Sequence, residues 1–394
     1  MATRLRDAVE DEQLMAANDV DAEPPAGLTV ATFNIWGIPF ASHAALSRPG
    51  RLGDVAAAAV LGARPPAGDE RIVLCFQEAW GFKTGCGQPC VSLARALERC
   101  LPSLCTTRYV QIFNPRHICT EVLKINSPCT LLASVFAALS SLCLPCAALR
   151  DDAIKSELVA SLKRWGLPFA VGQSGNAGIV NNPRKLMDSG LLIVSSVAPM
   201  ASGFVPYAAV GVEGVANKGF LWALLPPTDA TLGDGLSGGG QLVVTTHQHA
   251  DQPNCKNPGA TRALQRAELL AGLASLRAKY KPALVVVCGD FNEDAEPRAE
   301  GGGLHADFLA GGLTRLTAIT KGHGTCIKDD GTGNCEELDH LYAGSEHAER
   351  ICYEPVKPLR TPWSDHSLLW VNRIRMPTEA RLTDVTGPKS DDLI

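Results

Sequence analysis

The feature that most constrains this chain is a series of short apolar runs, rich in β-branched residues, each followed by polar side chains. Runs of about four to eight apolar residues are typical of strands buried on both faces. They lie at residues 28–33, 71–76, 190–195, 219–225, 241–246, 283–288, 337–342 and 367–371. The pattern therefore predicts strands distributed over nearly the whole length of the chain.

Two amphipathic segments lie between these runs. Residues 152–166 place Ile154, Leu158 and Leu162 on one stripe and end at a glycine, and residues 261–280 repeat leucines with Arg and Glu opposite. Strands interleaved with a few long helices predict a layered α/β protein. A hydrophobic fraction of 46% and a charged fraction of 20% exclude wholesale disorder.

The polar ends and one cysteine-rich segment differ from this pattern. Residues 1–25 lack the apolar run of a signal peptide, and we interpret them as a disordered tail. Residues 376–394 are interpreted as a mobile tail. One domain is predicted at residues 26–375, with an insertion at residues 86–150 that contains eight of the 14 cysteines. Clustered cysteines favour disulfides and export, whereas no export signal is visible, so the compartment stays open.

One part of the insertion approaches the length of a membrane span. Residues 125–149 carry no charge, but Pro128 and Pro145 bracket a shorter predicted helix at residues 129–144. At about 1.5 Å per residue, this helix is shorter than the roughly 30 Å hydrocarbon core of a bilayer. It is either a buried helix of the insertion or an interfacial helix that contacts a membrane surface.

Polar residues of chemically informative types follow the apolar runs. Strand ends are where an α/β protein collects a site from distant parts of its sequence. The side chains are, in chain order, Asn34, Gln77, Glu78, His247, Asp290, Asn292, Asp339, His340, Ser364, Asp365 and His366. Alternation along an extended segment predicts that Asp290 and Asn292 share one face. Each residue alone has a structural explanation, but their joint occurrence predicts an active site.

The overall charge argues against one class of partner. The chain has 36 Lys and Arg against 41 Asp and Glu, a net charge of −5. Proteins dedicated to nucleic-acid binding usually carry a basic excess, so no dedicated nucleic-acid partner is expected. A nuclease remains compatible with this charge, because an active site needs only local positive charge or a metal ion.

The ordered set of polar residues resembles the endonuclease/exonuclease/phosphatase superfamily, which has the fold of pancreatic deoxyribonuclease. Its most specific parts are Q-E at 77–78, G-D-F-N at 289–292 and S-D-H at 364–366. Within the superfamily the chain is most similar to neutral sphingomyelinases, through N-I-W-G-I-P-F at 34–40, R-L-G-D at 51–54, D-S-G-L at 188–191 and N-K-G at 217–219. The resemblance implies a four-layered α/β sandwich, with two packed mixed β-sheets flanked by helices.

The resemblance also implies a metal site. Glu78 would be the direct carboxylate ligand of a Mg²⁺ ion, with Asn34 beside it and Asp365 on the metal side. Mg²⁺ prefers one or two carboxylates together with several waters, and Mn²⁺ is a possible substitute.

The remaining roles follow from the same resemblance. His366 would be the general base, oriented by Asp339, and His247 would donate to the transition-state oxygens. Asp290 and Asn292 would hold the attacking water and a phosphoryl oxygen, and Asp290 would help to protonate the leaving alkoxide.

Four further positions complete the assignment. Asn217 and Lys218 are assigned to substrate binding, although a structural role for Lys218 is equally compatible. His340 is interpreted as structural. Residues 246–250, T-H-Q-H-A, depart from the family pattern T-H-x-Q-A, so the role of His249 stays open.

The predicted function is that of a Mg²⁺-dependent phosphodiesterase that converts sphingomyelin to ceramide and phosphocholine, as a monomer at a lipid membrane surface. The alternatives are a nuclease with the same core, an inositol-phosphate phosphatase, and a non-enzymatic membrane-binding or scaffold protein. The W-G-I-P-F segment and the lack of a basic excess favour the lipid enzyme. The phosphatase is disfavoured because no extra Lys/Arg cluster lies near the motifs, and the scaffold because the catalytic set is complete.

Overall fold

A computed structural model describes residues 27–35, 48–62, 70–79, 151–173, 188–209, 211–213, 216–227, 239–252, 255–294, 303–316, 324–327, 335–344, 351–355, 358–361 and 364–375. The two predicted tails, the insertion with its predicted helix, and the W-G-I-P-F segment all lie outside these ranges.

The described ranges contain both helices and strands. The helices are α1 (Arg48–Leu61), α2 (Asp151–Arg164), α3 (Pro258–Tyr280) and α4 (Leu304–Ala310). The strands are β1 (Leu28–Asn34), β2 (Arg71–Gln77), β3 (Phe169–Gly172), β4 (Leu192–Ser195), β5 (Ala201–Pro206), β6 (Gly219–Leu225), β7 (Gly239–His247), β8 (Pro282–Asp290), β9 (Thr314–Arg315), β10 (Cys326–Ile327), β11 (Cys335–Glu336), β12 (Asp339–Gly344), β13 (Cys352–Pro355), β14 (Leu359–Arg360) and β15 (Ser367–Arg375). One turn of 3₁₀ helix, Gly211–Glu213, precedes β6.

Most strands belong to two mixed sheets. The order is β13-β15-β1-β2-β4-β3 in the first sheet, where β14 also pairs with β15, and β5-β6-β7-β8-β12-β9 in the second. Each sheet has a parallel pair at its centre, β1 with β2 and β7 with β8, and antiparallel neighbours on both sides. Strand β1 is flanked by β2 and by β15, with Leu28 opposite Ile374.

Four layers result from the burial of both faces of each sheet. The two sheets enclose one apolar core, to which Val30 and Val73 contribute from the first sheet and Val243 and Val286 from the second. Helices α1 and α2 pack on the outer face of the first sheet, and α3 and α4 on that of the second. Strands covered on both faces have continuous apolar runs instead of alternating ones. The predicted α/β sandwich of two packed mixed sheets is confirmed.

Helix α3 begins earlier than the sequence pattern predicts. The Asn257 side chain caps it by accepting from the backbone N–H of Ala260, and Pro258 occupies the first turn. At the other end, Lys281 has a left-handed backbone and donates its N–H to Arg277 O. These caps lie outside the leucine periodicity, so periodicity alone placed the start at residue 261.

Helix α1 was not predicted, because proline and two glycines interrupt its sequence. One of them, Gly53, lies where α1 meets α2, and a Cβ there would be 3.0 Å from Leu158 Cδ1 and 3.1 Å from Ser161 Oγ. The absent side chain therefore allows the two helices to approach closely. Among the described helices, none combines the length and the apolar character that crossing a membrane requires.

The carboxyl ends of the central parallel pairs carry polar residues of the predicted site. The parallel register sets Asn34 beside Gln77 in the first sheet and His247 beside Asp290 in the second. Because the two sheets pack face to face, these ends meet across the top of the core.

Gly289 is expected to tolerate no side chain. Its φ of +145° is a conformation available essentially to glycine alone, and a Cβ would come 2.1 Å from Thr246 O on β7. Gly289→Ala should lower the free energy of unfolding by at least about 2 kcal/mol, through backbone strain and overpacking. Urea denaturation measures this loss. Gly172→Ala is the control, because its Cβ would meet Leu192 Cδ1 at an ordinary 3.8 Å. Equal stability of the two variants would contradict the expectation.

Candidate active site

An imidazole held by a carboxylate lies at the centre of the candidate site. Nδ1 of His366, just before β15, is 2.7 Å from Oδ2 of Asp339 at the start of β12, and both residues are buried. The other ring nitrogen, Nε2, lies 3.7 Å from Asp290 Oδ2. The backbone N–H of Asp339 donates to Thr325 Oγ1 at 2.9 Å. His366 therefore has one nitrogen fixed by Asp339 and the other directed towards the end of β8.

The S-D-H motif is fastened to β1 by its serine. Ser364 Oγ donates to Asn34 O at 2.7 Å and accepts from the backbone N–H of His366 at 3.0 Å. Asp365 is half-buried. Burial raises the pKa of Glu78 and of Cys326, and the charge of Asp365 adds to that increase. The motif thus holds the imidazole and a further carboxylate beside the ends of β1 and β2.

The charges around His366 determine its proton affinity. Burial by itself would lower the pKa of the imidazole. The negative charges of Asp339 and Asp290, together with the hydrogen bond to Asp339, outweigh burial and raise that pKa well above its ordinary value.

Two carboxylates from opposite sheets share one amide donor. Asn34 Nδ2 donates to Glu78 Oε1 at 3.1 Å and to Asp290 Oδ2 at 2.8 Å. Burial raises the pKa of Glu78, and it raises the pKa of Asp290 to about 7. Removing carboxylates from water is costly unless a cation or donors compensate. The pair is therefore a candidate metal site, in which Asn34 acts by orienting the two carboxylates.

His247 ends β7 and completes this group. Its Nε2 lies 3.8 Å from Glu78 Oε1 and 3.7 Å from Asp290 Oδ2. Burial, and after it the charge of Lys218, lowers the pKa of His247 well below its ordinary value. Ligand atoms of Glu78, His247 and Asp290 all lie within 4.8 Å of one another. The imidazole is thus neutral and faces the carboxylate pair.

Asn292 does not follow the strand alternation predicted for it. Strand β8 ends at Asp290, and Asn292 has a left-handed backbone with φ of +51°. Its N–H donates to Asp290 Oδ1 at 2.8 Å, and its side-chain amide donates to Gln248 O at 3.2 Å. The prediction of one shared extended face is therefore wrong, because the chain turns after β8. Asn292 nevertheless lies beside Asp290.

Lys218 lies beneath the site, away from solvent. Its ammonium group pairs with Glu213 Oε2 at 3.0 Å and donates to Gln248 O at 2.7 Å. It therefore fixes the segment that follows His247, which supports the structural alternative for this residue. Asn217 is also buried. A substrate-binding role for Asn217 and Lys218 stays a prediction.

Two other histidines have structural partners. His249 Nδ1 lies 2.6 Å from Ala250 O, and the His249 backbone N–H donates to Gln265 Oε1. His340 Nε2 lies 2.8 Å from Glu293 O. Both are fully buried, so each ring serves the packing around the site.

The titration of His340 gives a pH-dependent prediction. Burial lowers its pKa from 6.5 to about 4. The unfolded chain therefore binds a proton more readily, so the stability that His340 contributes is present above about pH 6.5 and decreases as the pH falls towards 4. The loss amounts to about 3 kcal/mol. Urea denaturation between pH 7 and pH 4.5 should show a steeper loss for the wild type than for His340→Gln, which cannot titrate. An equal loss of stability with falling pH in the wild type and in His340→Gln would contradict this prediction.

Several residues of the site carried no usable sequence signal. Cys326 begins the two-residue strand β10 and Thr325 directly precedes it, and this segment has no apolar run. Gln77 was found by its motif, but its contacts were not foreseen: its Nε2 donates to Thr32 Oγ1 at 2.9 Å and to Thr245 Oγ1 at 2.8 Å. Since Thr32 and Thr245 belong to different sheets, Gln77 ties the two sheets together directly below the site.

Comparison with solved structures finds the same fold. SmcL shares 12% identity at a TM-score of 0.52, over 89% of this chain and 100% of that chain. Beta toxin from Staphylococcus aureus shares 14% identity at a TM-score of 0.50, over 88% of this chain and 99% of that chain. An endonuclease/exonuclease/phosphatase from Beutenbergia cavernae shares 13% identity at a TM-score of 0.50, over 89% of this chain and 72% of that chain. Comparison of the sequence with family models and with curated proteins finds no match. The likeness confirms the predicted deoxyribonuclease-like fold.

Proposed function

We propose that this chain is a metal-dependent phosphodiesterase that uses Mg²⁺ to hydrolyse sphingomyelin, with phosphocholine and ceramide as products. One observation carries the proposal: the His366–Asp339 pair faces a cluster of Glu78, Asp290 and His247 at the strand ends of two packed sheets. A base beside a carboxylate cluster that can hold a metal ion is the combination that metal-assisted hydrolysis at phosphorus uses.

The donor set fits a hard divalent cation. Glu78 and Asp290 offer carboxylate oxygens, which Mg²⁺ and Mn²⁺ prefer, and Asn34 holds both of them in place. Glu78 would bind the ion directly, and Asp365 would add negative charge nearby. The bound ion would polarise the phosphoryl oxygens and neutralise charge that develops on them. A cation here also relieves the cost of burying two carboxylates.

His366 is placed to take the proton of an attacking water. Its Nε2 would accept that proton, while Asp339 holds Nδ1 and stabilises the imidazolium that forms. Asp290 Oδ2 lies 3.7 Å from Nε2 of both His366 and His247. It therefore lies between the two rings, where it would hold the water in line with phosphorus.

Neutral His247 and Asn292 would donate hydrogen bonds to the phosphoryl oxygens. A neutral imidazole donates one N–H without adding a second full charge beside the metal site. Donors fixed before the reaction stabilise charge on the phosphoryl oxygens at little cost of reorganisation. Lys218 donates to the same Gln248 carbonyl oxygen as Asn292 and so holds the segment that joins the two donors.

The choice of sphingomyelin rests on the sequence. The N-I-W-G-I-P-F motif at 34–40 resembles the neutral sphingomyelinases, and a net charge of −5 disfavours a polyanionic polymer. A sphingomyelin substrate makes a lipid membrane surface the site of action, with the enzyme acting as a monomer. The names of the similar structures, which include an endonuclease/exonuclease/phosphatase, are compatible with a phosphoester as the substrate.

One assay separates the candidate activities. The purified chain is given sphingomyelin, lysophosphatidylcholine, an inositol polyphosphate and plasmid DNA in parallel, with Mg²⁺ or with EDTA, and His366→Ala serves as the blank for contaminants. Phosphocholine release from sphingomyelin, lost in EDTA and restored by Mg²⁺ or Mn²⁺, supports the proposal. DNA cleavage or phosphate release without lipid hydrolysis would assign the chain to the nuclease or the phosphatase instead. Inactivity towards every phosphoester would overturn it.

A further inference from the structure

A thiol that the proposed mechanism does not use lies against the general base. Cys326 of β10 forms a backbone bridge with His366, and its buried thiol is hydrogen-bonded to the His366 side chain. Asp365 adds a carboxylate, so that a sulfur, an oxygen and a ring nitrogen lie within 4.8 Å of one another. The three residues come from two segments that the fold brings side by side.

The backbone that carries this thiol is held on several sides. Thr325 O accepts from the N–H of Ser367 at 2.7 Å, and Thr325 Oγ1 accepts from the N–H groups of Leu338 and Asp339 at 2.9 Å. Cys326 is therefore positioned before any ligand arrives, which lowers the cost of binding.

This combination of ligands suits a softer cation than Mg²⁺. A thiolate, an imidazole and a carboxylate, with one open position for water, form a tetrahedral zinc environment. Zinc lies about 2.0–2.3 Å from such atoms, which separates the ligands by roughly 3.5 Å. The three side chains need only a small closing movement to reach that separation. Asp339 on Nδ1 matches the carboxylate that orients most zinc-bound histidines.

We propose that Cys326, Asp365 and His366 form an inhibitory Zn²⁺ site. On binding, the thiol loses its proton to solvent and the sulfur binds the ion, and the imidazolium form of His366 likewise releases a ring proton to solvent. His366 contributes the lone pair of the ring nitrogen that Asp339 does not hold. The proposed reaction needs that same lone pair to accept a proton from water. Zn²⁺ binding and hydrolysis therefore exclude each other. The inhibition rests on the proposed function, whereas the binding does not.

Binding is tested without any assay of activity. The metal-free full-length chain is titrated with Co²⁺, which reports thiolate ligation by a near-ultraviolet charge-transfer band. Because the chain has other cysteines, the readout is the difference between wild type and Cys326→Ser. Cys335→Ser is the control, since Cys335 lies on the neighbouring strand β11 and is exposed. The band should decrease by one site's amplitude in Cys326→Ser and persist in Cys335→Ser. An unchanged band in Cys326→Ser would overturn the proposal.

Inhibition is tested on the same proteins. Zn²⁺ is added to sphingomyelin hydrolysis at saturating Mg²⁺, and each protein is scaled to its own rate without Zn²⁺. The Zn²⁺ concentration for half inhibition should rise at least about tenfold in Cys326→Ser, since one of three protein ligands is lost, and stay unchanged in Cys335→Ser. Cys326→Ala is measured alongside in case Ser unfolds the hairpin. Equal Zn²⁺ sensitivity of all variants would overturn the inhibitory site. A wild type without hydrolysis would defeat the proposed function and leave the cobalt result standing.

Discussion

His366→Ala is expected to lower the turnover number by about 10²–10⁴-fold while KM changes little. The reason is that His366 Nε2 faces Asp290 across the space where a water would attack, whereas Nδ1 is occupied by Asp339. Alanine removes this proton acceptor, whose orientation Asp339 fixes. A base acts mainly in the transition state, so the loss falls on turnover. Steady-state kinetics at saturating Mg²⁺ measures both constants.

Asp339→Asn is the matched variant for the positioning carboxylate. Asp339 raises the pKa of His366 through its charge and its hydrogen bond. Removing that charge lowers the pKa of His366, so the ring loses its proton at a lower pH. The acidic limb of the pH–rate profile should therefore move to lower pH. A purely structural role for Asp339 would lower the rate without this shift. Near-normal turnover of His366→Ala would reassign the base, with His247 as the next candidate.

Glu78→Gln is expected to remove most of the activity and to raise the Mg²⁺ requirement by at least about 10–100-fold. Glutamine has nearly the same shape and keeps an oxygen to accept from Asn34 Nδ2, but it lacks the charge that would bind the cation. Burial raises the pKa of Glu78, so removing this charge should not reduce stability. Activity against Mg²⁺ concentration, together with a thermal melt, measures both effects.

Glu70→Gln is the control for this substitution. Glu70 precedes the other end of β2, where it is partly buried and accepts from Thr29 Oγ1 at 3.5 Å. The same chemical change at the opposite end of β2 should leave the Mg²⁺ requirement unaltered. Chelator-treated wild type that keeps full activity would contradict the metal mechanism.

The central strands could be predicted because a strand that is buried on both faces has an uninterrupted run of apolar residues. Strands β7 and β8 are buried at nearly every position, and each contains an uninterrupted apolar run, L-V-V in β7 and A-L-V-V-V-C in β8, that is visible without knowledge of its neighbours. The edge strands β3 and β5 have no such run. Both are largely exposed, and apolar and polar residues do not alternate clearly along them. They form because a neighbouring strand offers free backbone groups, which a local pattern does not contain.

The members of the site were foreseen better than its geometry. Strand ends and motif order identified His366, Asp339 and Glu78, since residues at the ends of central strands must converge. The left-handed backbone of Glu78 and Asn292, with φ of +57° and +51°, was not foreseen. Such conformations are maintained by tertiary contacts at functional sites, and the local sequence alone does not select them. The thiol of Cys326 was missed for a similar reason, because only tertiary pairing brings it to His366.

The pairing of β1 with β15 determines when the site can exist during synthesis. Until the ribosome has made β15, one edge of β1 has no partner, and the imidazole that precedes β15 is absent. The first sheet therefore remains incomplete while every other strand of the two sheets is already made. Closing a contact between Leu28 and Ile374 is also slow, because it joins positions far apart in sequence. The proposed active site would therefore form only after β15 has left the ribosome, and until then the exposed edge of β1 would be open to non-native strand pairing.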